Sequence, residues 1–194
     1  MKRSLIALAL AAVLPLSVQA GEIPYSYVEA SYLDSHVAGE NGDGFGLAGS
    51  VGFSESWYGS ASYRRVDNND YGIELDETTV NLGWSHALSD KADCIAELGY
   101  VDVGADVDGF GSDSANGYRL AAGFRGMLAP KFEGSIKAYY TDISDADWGG
   151  SEFGARLGAV YQLNDTWGIT ASYDTTKLFD ERINTWGLGI RASF

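Results

Sequence analysis

Two arrangements of acidic and imidazole side chains could do chemistry in this chain. Asp34-Ser35-His36, with Asp145-Ala146-Asp147 much later, holds the parts for activating a water by general-base catalysis, which would be hydrolysis at one rim of the fold. Residues 106–113, D-V-D-G-F-G-S-D, offer carboxylates to a divalent cation but lack the twelfth-position glutamate and ligand order of an EF-hand. Acidic pairs at such spacings arise by chance in stretches this acidic, so a solvated loop is the simpler reading. Cys94 is the only cysteine, which excludes an intrachain disulfide and a thiolate metal cluster. No Gly-x-Ser-x-Gly elbow and no zinc-ligand spacing occurs. The sequence therefore assigns no catalytic, cofactor-binding or metal-binding residue, and the chain is read as no enzyme.

A second group of ionisable residues is unusual for its placement. Glu29, Arg64, Glu97, Arg119, Arg125, Glu133, Lys137, Arg156, Asp174 and Arg191 lie inside runs that alternate apolar and polar residues. Asn81, Ser50, Ser62, Ser135, Thr170 and Ser172 fall on the same side of those runs. Both charge signs occur in similar numbers. In a narrow, poorly hydrated interior an unpaired charge costs several kcal/mol. These residues are therefore expected to form a lumen network of ion pairs and hydrogen bonds that takes the place of a hydrophobic core. A charged conduction path is the functional alternative.

The elements that must position them have a period of two. Residues 183–194, I-N-T-W-G-L-G-I-R-A-S-F, put Trp186, Leu188, Ile190, Ala192 and Phe194 on one face of a strand, and Thr185, Gly187, Gly189, Arg191 and Ser193 on the other. An apolar face toward lipid and a polar face toward the lumen is the pattern of a transmembrane barrel. Similar windows at residues 25–33, 43–54, 57–67, 77–87, 92–103, 115–127, 131–142, 151–163 and 166–176 predict about ten strands, with eight the alternative. Residues 55–56, 88–91, 128–130 and 164–165 read as tight turns. Residues 34–42, 68–76, 104–114, 143–150 and 177–182 are longer, polar and mostly acidic. Short turns at one rim and long loops at the other predict an all-β, antiparallel, up-and-down transmembrane barrel with both termini at the short-turn rim. About 11 residues rising about 3.3 Å each at a tilt of about 40° project roughly 28 Å, enough to span. Glycines such as Gly44, Gly46, Gly49 and Gly52 each cost a helix about 1 kcal/mol and argue against one here.

Aromatic residues gather at the strand ends. Phe53, Trp57, Phe132, Trp167 and Phe194 lie near the tight turns, and Tyr32, Tyr100, Tyr118, Tyr140, Tyr173 and Trp186 near the long loops, as two interfacial girdles would. His86 falls on the outward face beside Trp84. A soluble sandwich also alternates, but does not account for the aromatic ends or the loop asymmetry. Ten tilted strands enclose a backbone diameter of roughly 20 Å, which side chains from each wall reduce to a thread of water. That excludes a general porin and leaves a narrow channel or an occluded barrel.

The amino-terminal residues predict export. Lys2 and Arg3 precede an apolar run over residues 5–18, and Val18-Gln19-Ala20 supplies a cleavage site. Residues 1–20 are read as a signal peptide and residues 21–194 as one barrel domain. The formal net charge is −14, and losing Lys2 and Arg3 takes it to −16. So acidic a chain lacks the basic face that nucleic acid requires.

Tyr25-Ser26-Tyr27-Val28-Glu29, Asp43-Gly44-Phe45-Gly46, Thr166-Trp167-Gly168-Ile169 and the terminal aromatic resemble a family of small bacterial outer-membrane barrels, one member of which was once described as a secreted, diffusible-signal-factor-regulated activator of plant immunity. The chain is more distantly similar to OmpA- and OmpX-type barrels. The resemblance implies an outer-membrane location and a link to biofilm, motility or virulence, and it transfers no catalytic residue. The reading that follows is an outer-membrane protein with a structural or cell-surface interaction role. A narrow porin-like channel for small solutes or ions is second, and an outer-rim hydrolase last. Expected partners are outer-membrane lipid and lipopolysaccharide, the barrel assembly machinery, which would engage Phe194 and Trp186, and an extracellular partner meeting the acidic loops. Oligomeric state is left open. Deletion of Phe194 is expected to impair insertion, read as loss of the protein from the outer-membrane fraction, whereas Arg191→Ala should insert but unfold more readily.

Overall fold

The computed structural model describes residues 23–37, 40–68, 72–107, 109, 111–144, 150–178 and 181–194; residues 1–20, read above as a signal peptide, and Asp145-Ala146-Asp147 lie outside them. Ten antiparallel strands close into a barrel: β1 Tyr27–Val37, β2 Glu40–Gly52, β3 Trp57–Asn68, β4 Ile73–Ser89, β5 Ala92–Val107, β6 Gly111–Ala129, β7 Phe132–Ile143, β8 Gly150–Gln162, β9 Trp167–Leu178 and β10 Glu181–Ser193. Each strand pairs with its sequence neighbours, and β1 pairs with β10 from Tyr27↔Ser193 to Val37↔Ile183. The number is ten, not eight. Closure leaves the sheet without an unpaired edge.

Two of the tight turns share one construction. In F-S-E-S-W and L-N-D-T-W, the amides of the first residues, Phe53 and Leu163, donate to the carbonyls of Trp57 and Trp167 at 3.0 and 2.8 Å. Asn164 Oδ1 also accepts from the amides of Thr166 and Trp167 at 3.0 and 2.8 Å, the side-chain mimicry of a turn that favours Asn at such sites. The β4–β5 and β6–β7 turns each carry a register shift, at Ala87/Ser89 and Met127/Ala129. Lys131, with φ of +69°, completes the second.

The opposite rim differs from expectation. Much of the residues read as long loops is strand: β5 and β6 stay paired to Val107↔Gly111, β3 and β4 to Asn68↔Ile73, and β9 and β10 to Leu178↔Glu181. Backbone ladders are indifferent to side-chain polarity, so pairing continues after the apolar alternation ends. Consequently the 106–113 stretch is largely paired backbone, with Asp106 opposite Ser112 and Ala105 opposite Asp113. His36 likewise stands on β1 rather than in a loop. The extension also aligns acids in register across five strands: Asp34↔Asp43↔Asp67↔Glu74↔Asp106. Like charges directly opposed destabilise a sheet, and Arg65, bonded to Glu74 and 3.5 Å from Asp67, offsets part of that repulsion.

Apolar side chains cover the outside: Phe45, Leu47, Val80, Leu98, Leu120, Ile136, Leu157, Ile169 and Leu188 are all exposed. What is buried is inward, and it is mixed. Leu33, Ile95, Val101 and Val160 are buried beside Thr79, Arg125, Glu133, Thr141 and Asp174. Asn164→Ala removes an acceptor for two turn amides and is expected to cost about 1 kcal/mol, because water replaces part of the bond at an exposed turn; urea unfolding of the refolded barrel measures it.

Candidate functional site: the lumen network

All ten charges singled out in the sequence face the lumen, and the structure brings them together in tiers. At the long-hairpin side, Glu77 on β4 accepts from Arg64 on β3 at 2.7 Å and from both terminal nitrogens of Arg119 on β6 at 3.1 and 2.8 Å. Arg119 Nε donates to Thr141 at 2.8 Å, and the guanidinium lies 4.7 Å from the Tyr139 ring centre. Asp174 on β9 accepts from Arg156 Nε at 2.8 Å, and Arg64 reaches it across the lumen at 3.8 Å. In the middle tier Lys137 on β7 donates to both oxygens of Glu97 on β5, at 3.2 and 3.0 Å. Near the tight turns Arg125 forks onto Glu133 at 2.5 and 3.0 Å. Arg191 donates to Glu29 at 2.9 Å from Nε, and its guanidinium sits 3.9 Å from the Tyr27 ring centre and 3.8 Å from Glu133.

Sequence reasoning missed Glu77, which holds two arginines and stood at the edge of a predicted loop. Its parity with Asn81 and with the intervening Thr79 was the available signal. The inward tyrosines were missed as well. Tyr58 lies over its register partner Gly83 and donates to Glu97, Gly83's partner on the next strand, at 2.9 Å. Tyr139 lies over its register partner Gly154 and donates to Asp174 at 2.8 Å. A Cβ on either glycine would stand 2.2 Å from the tyrosine Cζ, so only glycine lets the ring lie flat and reach a carboxylate beyond. At the tight-turn end, ahead of β1, Tyr25 stacks against Tyr58, with ring centres 4.8 Å apart, and donates to Asp93 at 2.7 Å. Burial, reinforced by the Asp93 carboxylate, holds its phenol above the ordinary range.

The remaining candidates are outward. Phe53, Trp57, Trp167 and Trp186 are exposed, while Tyr140 and Tyr173 are half-buried. The Tyr140 ring packs on Phe153 with ring centres 5.0 Å apart, and that of Tyr173 on Trp186 at 4.6 Å. Phe194, past the end of β10, donates its amide to the Ser26 carbonyl at 3.1 Å. His86 stacks on Trp84 on the outer face. His36 Nδ1 lies 3.1 Å from Asp34 Oδ1, both side chains half exposed. Among the described residues no cluster of His, Cys, Asp and Glu could hold a metal ion.

A family comparison returns a barrel as well. Residues 6–155 match the outer membrane protein beta-barrel domain, and the chain belongs to that family. β9 and β10 lie beyond the match yet complete the same barrel. No curated protein matches the chain. Among solved structures, the NanC porin shares 10% identity over 85% of this chain and 100% of its own, with a TM-score of 0.52, a likeness of fold alone. The Ail attachment invasion locus protein of Yersinia pestis shares 19% identity over 87% and 97%, with a TM-score of 0.42. The barrel domain of Pseudomonas aeruginosa OprF shares 10% over 87% and 99%, with a TM-score of 0.45.

Glu77→Ala would strand Arg64 and Arg119 without their shared carboxylate, and breaking a buried pair costs about 3–5 kcal/mol. Arg65→Ala, at the outward rim, should cost less than about 1 kcal/mol. The difference between their urea midpoints measures the inside against the outside.

Proposed function

We propose that this chain is an occluded barrel of the bacterial outer membrane with a structural or cell-surface interaction role. One observation carries the proposal: besides the ion pairs that join neighbouring strands along the wall, others reach over the lumen. Arg64–Asp174 joins β3 to β9 and Arg191–Glu133 joins β10 to β7, each at 3.8 Å, and Lys137–Glu97 passes over β6 to join β7 to β5. The ten lumen charges then act as structural filling. The protein is exported through a leader cleaved after Ala20 and inserted by the barrel assembly machinery, which reads Phe194 and Trp186. Phe53, Trp57, Trp167, Tyr140 and Tyr173 anchor the barrel at the two lipid interfaces.

The tight-turn rim faces the periplasm and the long hairpins face outward. The aligned acids from Asp34 to Asp106 then lie where divalent cations bridge carboxylates to lipopolysaccharide phosphates, and where a cationic extracellular partner would dock. Its likeness in sequence to the diffusible-signal-factor-regulated barrels supports a link to biofilm, motility or virulence. A second reading, a narrow channel, is favoured by the cavity of about 150 Å³ that the network leaves inside the lumen. In planar bilayers the folded protein is expected to give no stepwise openings. Openings in the wild type that vanish when Ser50 is replaced by Trp would transfer the assignment to the channel.

A further inference from the structure

The lumen filling is lopsided. The wall over β3 to β7 carries Tyr58, Glu77, Glu97, Arg119, Arg125 and Tyr139, whereas the opposite wall, apart from Glu29, Arg156, Asp174 and Arg191, presents mostly hydroxyls and glycines, with Gly187 and Gly189 facing Ser172 and Thr170. Part of the space left is the mid-lumen cavity of about 150 Å³, room for a small ion with several waters.

The lining of this cavity is richer in cations than in carboxylates. Five cationic side chains line it, Arg64, Arg125, Lys137, Arg156 and Arg191, against the three carboxylates of Glu29, Glu97 and Glu133. Arg125 and Arg191 are occupied by Glu133, Glu29 and the rings of Tyr25 and Tyr27. Arg64 is held by Glu77, Arg156 by Asp174 and Lys137 by Glu97, and of these carboxylates only Glu97 lines the cavity. Lys137 and Arg156 are direct register partners on β7 and β8, both pointing inward. Opposed like charges repel, and the Arg156 side chain keeps 36% exposure, the most open guanidinium among the lumen ion pairs described. Ser135 and Ser172 flank Gly158 in the next inward row. A separate observation points the same way: Ser50 lines the cavity, is 3% exposed, and its Oγ has no hydrogen-bond partner. Two opposed cations, nearby hydroxyl donors and an unsatisfied buried hydroxyl all ask for an acceptor bearing negative charge.

We propose that the mid-lumen cavity of this acidic protein binds a small inorganic anion, with Lys137 and Arg156 supplying the charge and the serine hydroxyls completing its shell. The anion relieves the repulsion between the two cations and occupies the space that side chains leave empty. Any ion that passes the lumen is then an anion, despite acids at the rim. The inference rests on the barrel interior described under the proposed function, but not on whether the barrel conducts.

Bromide is the probe. Crystals of the refolded protein soaked in sodium bromide, measured at the bromine absorption edge, should show an anomalous peak inside the cavity within hydrogen-bonding distance of Arg156 or Lys137. The peak should be lost in Arg156→Gln and in Lys137→Gln, each checked for folding by heat-modifiable gel migration, so that one variant decides if the other fails to fold. No lumen peak in the wild type, or a peak that survives in a folded variant, overturns the proposal. The occluded-barrel reading fails by a different result, stepwise openings in bilayers, so the two failures are distinguishable.

Discussion

Every charge placed inside a closed ladder must find its counter-charge within the lumen, because neither bulk water nor lipid is there to accept it. That constraint organises this protein. Glu77 serves two arginines, Glu133 one arginine with a second 3.8 Å away, and Asp174 an arginine, a tyrosine and, across the lumen, Arg64. Removing a single carboxylate therefore leaves more than one donor without its partner, which makes the carboxylates and not the arginines the dependent points of the interior. Burying such groups gains little over an apolar core of the same volume, but leaving one unpaired is severe.

The same constraint explains two glycines that would otherwise weaken their strands. Gly83 and Gly154 each give a tyrosine from the preceding strand a flat path to a carboxylate. A ring laid over a glycine fills the volume of the missing side chain and spends its hydroxyl on an ion pair, so each triad contributes packing and polarity together. The two triads lie on β3–β5 and β7–β9, on separate arcs of the barrel, and each ends on a carboxylate that already holds a cation. Where no such triad stands, along β2 and β10, small side chains predominate and the cavity opens. Filling and vacancy are thus two outcomes of one rule, set by where bulky inward residues occur.

The outer face follows a different logic. There the apolar side chains need no specific partner, only lipid, and the aromatic pairs Tyr140–Phe153 and Tyr173–Trp186 pack laterally between strands. At the long-hairpin rim both logics end. The ladder continues because backbone hydrogen bonds do not depend on the side chains, and acids from five strands meet in register. Strand ends at that rim are set by backbone pairing, which composition does not report.

Alternation along the chain determined the class of fold, the inward position of all ten charges and the outward position of the girdle aromatics, because a two-residue period assigns every residue to a face without any knowledge of its neighbours. The tight turns were equally legible, since Ser, Asn, Asp and Pro mark them locally. Pairing was not legible. That Arg64 takes Glu77 and reaches Asp174, that Lys137 takes Glu97, and that Arg156 stands opposite Lys137 depend on strand register and on distances across the lumen, which only closure creates. Glu77 itself was passed over although it opens its predicted strand, because no apolar residue beside it marks which face it takes. The cavity was beyond sequence altogether: it is the volume left over when side chains from nine of the ten strands, far apart in the chain, meet at one axis.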